Sequence, residues 1–367
     1  MTGYFHVLTA IDLFVLSFMC ILTKLSESLN KKQKRGFFLA FVLIAGISVL
    51  EVVTLAVNDT PSGLRWLNIV SNYLGFGLSP SVSLCLVYVL DKKQGVRRGF
   101  KTAVACEAAY LISLALMLPG GMVFSVSEEN LYSRGDFFAF YVTAYFAALV
   151  YLAACTAITA RAFQNRSRVL IYPFIVFLAA ATIIQIALPQ LHVTWLCVTL
   201  LSVLYFIYCS EMWNQLDALT GLLNQNSYLN RTAEMRRSGE VLVVFDVDDF
   251  KQVNDRYGHV KGDICLAEIA ACIKKAYARH GYCYRTGGDE FCVLLRDGDK
   301  EHACARDFVR RLSERRKELD FLPTVSFGSA ALSSENVVTV KDRADHNMYR
   351  YKKERKAHRM SGDAGEE

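Results

Sequence analysis

Long apolar runs fill the first 209 residues of the chain, and this pattern limits the fold more than any other feature. A helix that crosses a bilayer takes roughly 20 apolar residues. Seven runs reach that length, at 5–23, 36–57, 66–90, 102–124, 137–160, 169–188 and 193–209. The N-terminal half is therefore predicted to be an α-helical membrane bundle of about seven spans.

Basic residues in the connecting loops predict how this bundle is oriented. The loops after the first, third and fifth runs are rich in lysine and arginine, whereas the alternate loops hold mainly acids. Because basic loops stay on the cytoplasmic side, we expect the N-terminus outside and the C-terminus in the cytoplasm. The residues that decide this are Lys24, Lys31, Lys32, Lys34, Arg35, Lys92, Lys93, Arg97, Arg98, Lys101, Arg161, Arg166 and Arg168.

Composition changes near residue 210, where charged residues begin to alternate with apolar ones. The predicted domains are a transmembrane input domain at 1–209, a helical linker at 210–219, a soluble domain at 220–357 and a disordered tail at 358–367. The net charge of +6 lies in short loops and the C-terminal helix, so nucleic acid is not a predicted partner. The 11 cysteines show no Cys-x-x-Cys spacing, which argues against disulfides and zinc.

Asp12, Glu51 and Glu107 lie inside predicted spans, where an ionisable group is costly. Asp12 in the first run and Glu51 in the second fall at similar depths. Two interpretations stay open. The carboxyls are protonated or bonded to Asn68, Asn72 or backbone within the bundle, or they face a common cavity that binds a cation, an amine or a proton from outside.

The soluble half alternates strands and helices, which predicts an α+β domain with a mixed sheet. Residues 241–246 form an unbroken apolar run that ends in Asp246, as expected of a buried central strand. Residues 282–295 predict a β-hairpin whose turn contains Gly287 and Gly288, with the glycines supplying positive φ angles. If the hairpin lies beside the first strand, Asp246 and Asp289 meet at one edge.

Two neighbouring carboxylates repel each other unless a proton or a cation lies between them. Both are hard oxygen ligands, so Mg²⁺ is the expected cation, and it leaves positions for phosphate oxygens. Such a site suits phosphoryl transfer, with Lys251 and Lys352 as candidates to hold outer phosphates. The chain has no Gly-x-x-x-x-Gly-Lys loop, which disfavours a P-loop nucleotidase.

Ordered motifs along the soluble half carry a family resemblance. They are Asp-Ala-Leu-Thr-Gly-Leu-Leu-Asn at 217–224, Phe-Asp-Val-Asp-Asp-Phe-Lys-Gln-Val-Asn-Asp at 245–255, Gly-His-Val-Lys-Gly-Asp at 258–263, Arg-Thr-Gly-Gly-Asp-Glu-Phe at 285–291, Val-Ser-Phe-Gly at 325–328 and Ala-Asp…Met-Tyr-Arg-Tyr-Lys at 344–352. In these motifs the chain closely resembles the GGDEF family, the diguanylate cyclases. The resemblance implies a palm-like nucleotidyl cyclase fold. It also implies a bacterial inner-membrane homodimer that condenses two GTP to cyclic di-GMP and two pyrophosphates, with cyclic di-GMP effectors downstream.

The resemblance also implies roles for the acids. Asp246, Asp289 and the Val247 carbonyl would bind Mg²⁺, or Mn²⁺ in its place, and Glu290 would bind a second metal ion. Asp289 is further implied to assist deprotonation of the attacking 3′-hydroxyl, although activation by the metal alone is the alternative.

The nucleotide contacts are implied in the same way. Asn254 and Asp263 would recognise guanine, since a carboxylate accepts from the N1–H and the exocyclic amine. His259 would line the nucleotide site. The lysines implied at the phosphates are Lys251, Lys352 and Lys356.

Three departures from the family pattern and two alternative functions complete the prediction. Residues 278–281 read Ala-Arg-His-Gly where the family's inhibitory product site has Arg-x-x-Asp, so product inhibition is not expected. Gln225 stands in place of an arginine, and Arg355 and Lys356 in place of Gly-Arg. The alternatives are a catalytically silent GTP- or cyclic di-GMP-binding adaptor and a transporter with a regulatory soluble part.

Overall fold

The computed structural model describes residues 2–90, 96–162, 194–233, 239–332 and 337–363, together with residues 173, 176, 177, 179, 180, 183, 184 and 187. The chain divides into two compact units, Met1–Asn214 and Gln215–Glu367. The finer domain limits drawn from the sequence remain predictions.

Long apolar helices build the N-terminal unit. Within the described residues, six helices are long and apolar enough to cross a membrane. They are α1 (Thr2–Leu25), α2 (Lys31–Val57), α3 (Arg65–Val89), α4 (Val96–Met117), α5 (Phe138–Ala162) and α6 (Thr194–Asn214). Large apolar side chains such as Phe14, Ile112, Leu116 and Val150 are exposed on these helices. Such exposure is expected where helices face lipid rather than water.

Two of the predicted spans need comment. The run at 169–188 lies for the most part outside the described residues, so the count of seven stays a prediction. The fourth helix ends at Met117 instead of 124, because Pro119 cannot continue it and Gly121 adopts a φ of 60° in the turn that follows. Beyond that turn, β1 (Phe124–Val126) pairs antiparallel with β2 (Tyr132–Arg134) in a hairpin that the sequence did not predict.

Close packing of α2 against α3 and α6 forms the centre of the bundle. A Cβ atom at Gly36 of α2 would lie 2.6 Å from Cγ2 of Val89 in α3, so a larger residue at 36 would displace the Val89 side chain. Phe37 of α2 is fully buried and meets Phe206 of α6 edge-on, with 4.9 Å between the ring centroids.

A four-stranded sheet forms the centre of the C-terminal unit. Its strands are β3 (Val241–Val247), β4 (Gly281–Arg285), β5 (Glu290–Leu295) and β6 (Val325–Ala331), in the order β4-β5-β3-β6. These strands pair antiparallel, and Leu223 adds a parallel bridge to Tyr284, so the sheet is mixed as predicted. The β4–β5 hairpin and the central, buried position of β3 are also confirmed.

Alternating residues of β3 bury both faces of the sheet. Val243 and Phe245 pack in a core with Phe308, whereas Leu242 and Val244 pack in a second core with Val340. The covering helices are α7 (Gln225–Ala233), α8 (Phe250–Tyr257), α9 (His259–Tyr277), α10 (Glu301–Glu318) and α11 (Val337–Asp363). Because helices cover both faces of the sheet, residues on either side of β3 are buried, which explains the continuous apolar run at 241–245.

The chain differs from the prediction at both ends of this unit. The helix predicted to continue through the linker ends at Asn214, because Asp217 accepts from the Thr220 backbone N–H at 2.9 Å and Gly221 follows with a φ of 67°. At the other end α11 continues to Asp363, past the predicted start of the tail. Residues 355–360 hold no glycine or proline, so nothing in them interrupts a helix.

Candidate functional site

Pairing of β3 with β5 brings the predicted metal ligands to two adjacent strand ends. Asp246 stands opposite Glu290 in the register. One residue further, the Val247 N–H donates to the Asp289 carbonyl at 3.3 Å. Residues directly opposite each other in antiparallel strands have Cβ atoms about 5 Å apart. The acids of two distant motifs therefore share one edge of the sheet.

The turn at 286–289 is closed by backbone hydrogen bonds. The N–H groups of Thr286 and Gly287 both donate to the Glu290 carbonyl, at 3.0 and 3.4 Å. Neither Gly287 nor Gly288 has a φ in the left-handed region, so the predicted reason for these glycines is wrong. A Cβ at Gly287 would lie 3.2 Å from that of Glu290, and a Cβ at Gly288 would meet nothing within 4 Å. Gly288 thus faces open space, whereas Gly287 packs against the Glu290 side chain.

The Arg285 guanidinium fixes the position of this turn. Its Nη2 donates to the Gly288 carbonyl at 2.7 Å, and its Nη1 donates to Asp217 at 3.1 Å. Asp217 also accepts from the Thr220 hydroxyl at 2.6 Å. Burial opposes ionisation of Asp217, but the hydrogen bonds from Thr220 and Arg285 lower its pKa below the usual value. A charged Asp217 therefore anchors the arginine that orients the turn, a role that the sequence prediction did not assign.

Lys352 of α11 lies against the acids at the end of β3. Its ammonium pairs with Asp246 and lies 3.6 Å from Oδ1 of Asp248. Burial alone would lower the pKa of Lys352, but the hydrogen bond and charge of Asp246 raise it above the usual value. Asp248 is buried and accepts from the hydroxyls of Thr324 and Ser326, both at 2.7 Å. These contacts fix Lys352 at the same strand end as the predicted metal ligands.

A further carboxylate, Asp345 of α11, belongs to this group and was missed at the sequence level. Burial raises its pKa, Lys341 opposes that rise, and the negative charges of Glu290 and Asp246 add to it. Further along α11 lies an opening of about 260 Å³, lined by Asp246, Met348, Tyr349, Lys352 and Lys353. The only signal for Asp345 in the sequence was its place in the Ala-Asp pair of the last helix.

The donor chemistry of this edge fits Mg²⁺. In the part of the chain that the structure describes, no three His, Cys, Asp or Glu side chains form a complete metal site. Mg²⁺ rarely needs one, because it binds through one or two carboxylates, waters and substrate phosphates. Asp246 and Asp289, with a backbone carbonyl, supply that minimal set. The Lys352 ammonium already pairs with Asp246, so this strand end favours a positive charge.

The predicted guanine-binding residues meet at the junction of α8 and α9. A Cβ at Gly262 would lie 2.0 Å from Oδ1 of Asn254, so glycine at 262 lets the amide lie against α9. Asp263 follows directly and is exposed, as are His259 at the first position of α9 and Lys251 in α8. The backbone of Lys356 is part of α11, but its side chain lies outside the described residues.

Residues 214–358 match the family described as "Diguanylate cyclase, GGDEF domain". This part of the chain is a GGDEF domain. The chain is 31% identical over 155 residues to "Diguanylate cyclase DgcZ" of Escherichia coli K12, a match that covers 40% of this chain and 52% of that protein. It is 41% identical over 104 residues to an "Uncharacterized signaling protein" of Caulobacter vibrioides, covering 27% of this chain and 13% of that one.

Among solved structures, the GGDEF domain of DgcB from Caulobacter crescentus in complex with c-di-GMP is 27% identical to this chain. That match covers 38% of this chain and 90% of that one, with a TM-score of 0.35. The chain spans about half or less of the length of the two curated relatives. The resemblance to them is thus one of domain rather than of whole protein.

The two acids predicted as sensor residues lie outside the GGDEF domain and differ in surroundings. Asp12 is buried and accepts from the Ser48 hydroxyl at 2.7 Å. Asn72 bonds Asn68 instead of Asp12, at 2.8 Å. Asp12 and Glu51 are close enough to interact electrostatically, yet only Glu51 is among the residues that line the cavity between α2, α3 and α5.

Proposed function

We propose that the chain is a membrane-bound diguanylate cyclase that condenses two GTP into cyclic di-GMP and releases two pyrophosphates. The observation that carries this proposal is the β3–β5 pairing, which puts the ends of the Asp246 and Asp289 motifs side by side with Lys352 against Asp246. The match of the GGDEF domain to proteins named as diguanylate cyclases supports the same assignment.

In the proposed reaction, each subunit of a homodimer holds one GTP facing the other. The 3′-hydroxyl oxygen of each nucleotide bonds to the α-phosphorus of its partner while the bond from that phosphorus to pyrophosphate breaks. Asp246, Asp289 and the Val247 carbonyl would hold Mg²⁺, with Glu290 available to a second ion. Bound Mg²⁺ supplies the positive charge that neutralises the triphosphate and acidifies the attacking hydroxyl.

The remaining residues act by binding and orientation. The Asp263 carboxylate would accept hydrogen bonds from the guanine edge, and the Asn254 amide would bond the same base. His259 would line the base pocket. Lys251 and Lys356 would meet phosphate oxygens. Lys352, which is paired with Asp246 in this structure, would turn to the phosphates once a metal ion balances that carboxylate.

The N-terminal unit is proposed to anchor the enzyme in a bacterial inner membrane and to gate it. Six apolar helices in the described residues and the basic loops support this placement, with the GGDEF domain in the cytoplasm. The helix α6 ends at Asn214, next in the chain to the GGDEF unit. A change in the bundle would therefore act on the domain through this covalent connection.

Production of cyclic di-GMP by the full chain in lipid nanodiscs, supplied with GTP and Mg²⁺, tests the proposal. Chromatography is expected to show cyclic di-GMP and pyrophosphate, and Asp246→Asn and Asp289→Asn are each expected to lower the rate by about 100-fold or more. Asp249→Asn is the matched control, because Asp249 is exposed and asparagine tolerates its φ of 52°.

A second preparation separates an inactive enzyme from a gated one. The 215–367 unit, dimerised through a fused coiled coil, is expected to turn over GTP without the membrane bundle. Nucleotide binding without product in both preparations would contradict the cyclase proposal and leave the silent adaptor as the better interpretation.

A further inference from the structure

One ammonium group lies among several carboxylates at the strand ends of the GGDEF sheet. Asp246 of β3 stands opposite Glu290 of β5, and the negative charges of both act on Asp345 of α11. Lys352, also from α11, pairs directly with Asp246. Neighbouring acids repel one another, so the position of this ammonium decides which of them is neutralised.

Lys352 has two carboxylates within reach. Its Nζ pairs with Oδ1 of Asp246 and lies 3.6 Å from Oδ1 of Asp248. The Lys352 and Asp246 side chains are each 25% exposed, so water and salt screen their attraction less than at an open surface. The pair therefore lowers the affinity of Asp246 for any other cation.

The second carboxylate, Asp248, is held in place by β6. Its Oδ2 accepts from the Thr324 hydroxyl and its Oδ1 from the Ser326 hydroxyl, both at 2.7 Å. Its backbone N–H donates to the Thr324 carbonyl at 2.9 Å. Asp248 is not one of the metal ligands that the family resemblance implies. It therefore stays beside Lys352 whichever cation Asp246 binds.

We propose that Lys352 couples metal binding to nucleotide binding. Its ammonium competes with the divalent cation for Asp246, and the triphosphate oxygens of GTP relieve this competition by drawing the ammonium away. Asp248 is the fixed counter-charge in both arrangements, so the lysine turns without leaving the strand end. This coupling rests on the metal and phosphate roles of the proposed cyclase.

Coupling of this kind acts in both directions. Without nucleotide, Asp246 binds a divalent cation weakly, because the ammonium must first be displaced. With nucleotide, the same carboxylate is free for the metal. By linkage, each ligand raises the affinity of the other by the same factor. The site is thus expected to fill with metal and triphosphate together.

Mn²⁺ is the probe for the first half of the proposal, because a free Mn²⁺ ion gives an electron paramagnetic resonance signal that a bound ion loses. The full chain is placed in nanodiscs of neutral phosphatidylcholine. The Mn²⁺ that Asp246→Asn no longer binds defines the site. In the absence of nucleotide, Lys352→Gln is expected to bind Mn²⁺ at this site about tenfold more tightly than the native chain.

Two control variants separate competition from other effects. Lys352→Arg keeps the charge and is expected to bind Mn²⁺ as the native chain does. Lys353→Gln removes the same charge from the next residue, whose ammonium lies 4.8 Å from the Tyr349 ring centroid. It is expected to change Mn²⁺ affinity by less than about twofold. Circular dichroism and gel filtration show whether each variant is folded, and Lys352→Met repeats the test if Lys352→Gln is not.

The second half of the proposal is tested with an analogue of GTP whose α,β-bridge is a methylene group, so that it binds without reacting. At saturating Mn²⁺, Lys352→Gln is expected to weaken this analogue by about tenfold and to leave guanosine unchanged. Guanosine has no phosphates, so a loss of affinity for both ligands would indicate general damage to the nucleotide site.

Three results would overturn the coupling. One is a Lys352→Gln chain that binds Mn²⁺ no more tightly than the native chain. Another is an equal gain in Lys353→Gln, which would indicate a general effect of charge. The last is an unchanged affinity of Lys352→Gln for the GTP analogue, or an equal loss for guanosine. Every readout is binding without turnover. An inactive chain that gives the expected results contradicts the cyclase alone, and an active chain that fails them contradicts the coupling alone.

Discussion

Two buried aspartates, one in each unit, show how differently the molecule treats the same side chain. Asp12 in the helical bundle is 2% exposed, and Asp248 in the GGDEF domain is 8% exposed. The Asp12 carboxylate accepts from a neutral hydroxyl of Ser48, and no cation pairs with it among the described residues. Asp248 accepts from two hydroxyls and has the Lys352 ammonium 3.6 Å away.

The difference teaches what each unit requires of an acid. Without a cation nearby, an acid in a low-dielectric bundle is tolerated most easily as the neutral carboxyl, held by one or two hydrogen bonds to neutral groups. At the strand ends of the GGDEF sheet several acids lie together, and the Lys352 ammonium offsets part of their charge. Equal burial therefore does not mean equal function, because the partner decides which form of the acid the fold stabilises.

The largest expected effect tests the charged side of this comparison. Asp248→Asn replaces one carboxylate oxygen by an amide group, so a hydroxyl of Thr324 or Ser326 loses its acceptor and Lys352 loses a charge partner. We expect the free energy of unfolding of the GGDEF unit to fall by about 3–5 kcal/mol. Urea unfolding of the full chain in micelles measures it. Asp249→Asn, next along the chain but exposed, should change the value by about 0.5 kcal/mol or less.

A smaller loss of unfolding free energy is expected where a charged pair is only partly buried. Arg285→Ala removes the contacts to Asp217 and to the Gly288 carbonyl, and should lower the free energy of unfolding by about 2–3 kcal/mol. The rate of cyclic di-GMP formation should fall with it, since the acidic turn is no longer held. Arg296→Ala removes bonds to the backbone carbonyls of Arg279 and His280 and a contact with the Tyr282 ring, away from the acidic turn, and serves as the control. Equal losses of activity in both variants would contradict a specific role for Arg285.

The pH dependence of the Asp217 contribution gives a smaller, graded effect. The folded-state pKa of Asp217 lies below its unfolded value of about 3.9, so its charge stabilises the fold above that pH. The difference in unfolding free energy between the native chain and Asp217→Asn should be constant from about pH 7 to pH 5. It should shrink as the pH falls through the folded-state pKa. A difference that does not change down to about pH 3 would mean that the charge of Asp217 contributes nothing.

The smallest effect tests the neutral side of the comparison. In Asp12→Asn the amide oxygen still accepts from the Ser48 hydroxyl, so thermal unfolding in micelles should show a loss of about 1 kcal/mol or less. Asp12→Ala leaves that hydroxyl without its acceptor and should cost about 1–3 kcal/mol. If Asp12→Asn is as damaging as Asp248→Asn, Asp12 carries a charge and the contrast between the two units fails.

Features encoded in short windows were predictable from the sequence. The apolar run of β3 and the β4–β5 hairpin follow from local pattern. The hairpin β1–β2 was missed because residues 118–124 are apolar enough to read as a membrane span. Pro119 and the glycines behind it end α4 instead.

Contacts between distant residues were beyond a reading of local patterns. Arg285 reaches Asp217 across 68 positions, and Thr324 reaches Asp248 across 76. The sequence pattern predicted that Asp246 and Asp289 would meet, because strand ends and a family motif mark both. The Ala-Asp pair of the last helix was too short a pattern to predict a role for Asp345, whose importance comes from the charges of Glu290 and Asp246 near it.

The way in which the chain joins the GGDEF sheet has a mechanical consequence. Leu223 is hydrogen-bonded to β4 on both sides. Its N–H donates to the Cys283 carbonyl at 3.0 Å, and its carbonyl accepts from the Arg285 N–H at 2.8 Å. The next residue, Asn224, donates its N–H to the Gln215 carbonyl at 2.9 Å. A displacement of the backbone at Gln215 would therefore be passed, through these bonds, to Arg285, the residue whose side chain holds the acidic turn.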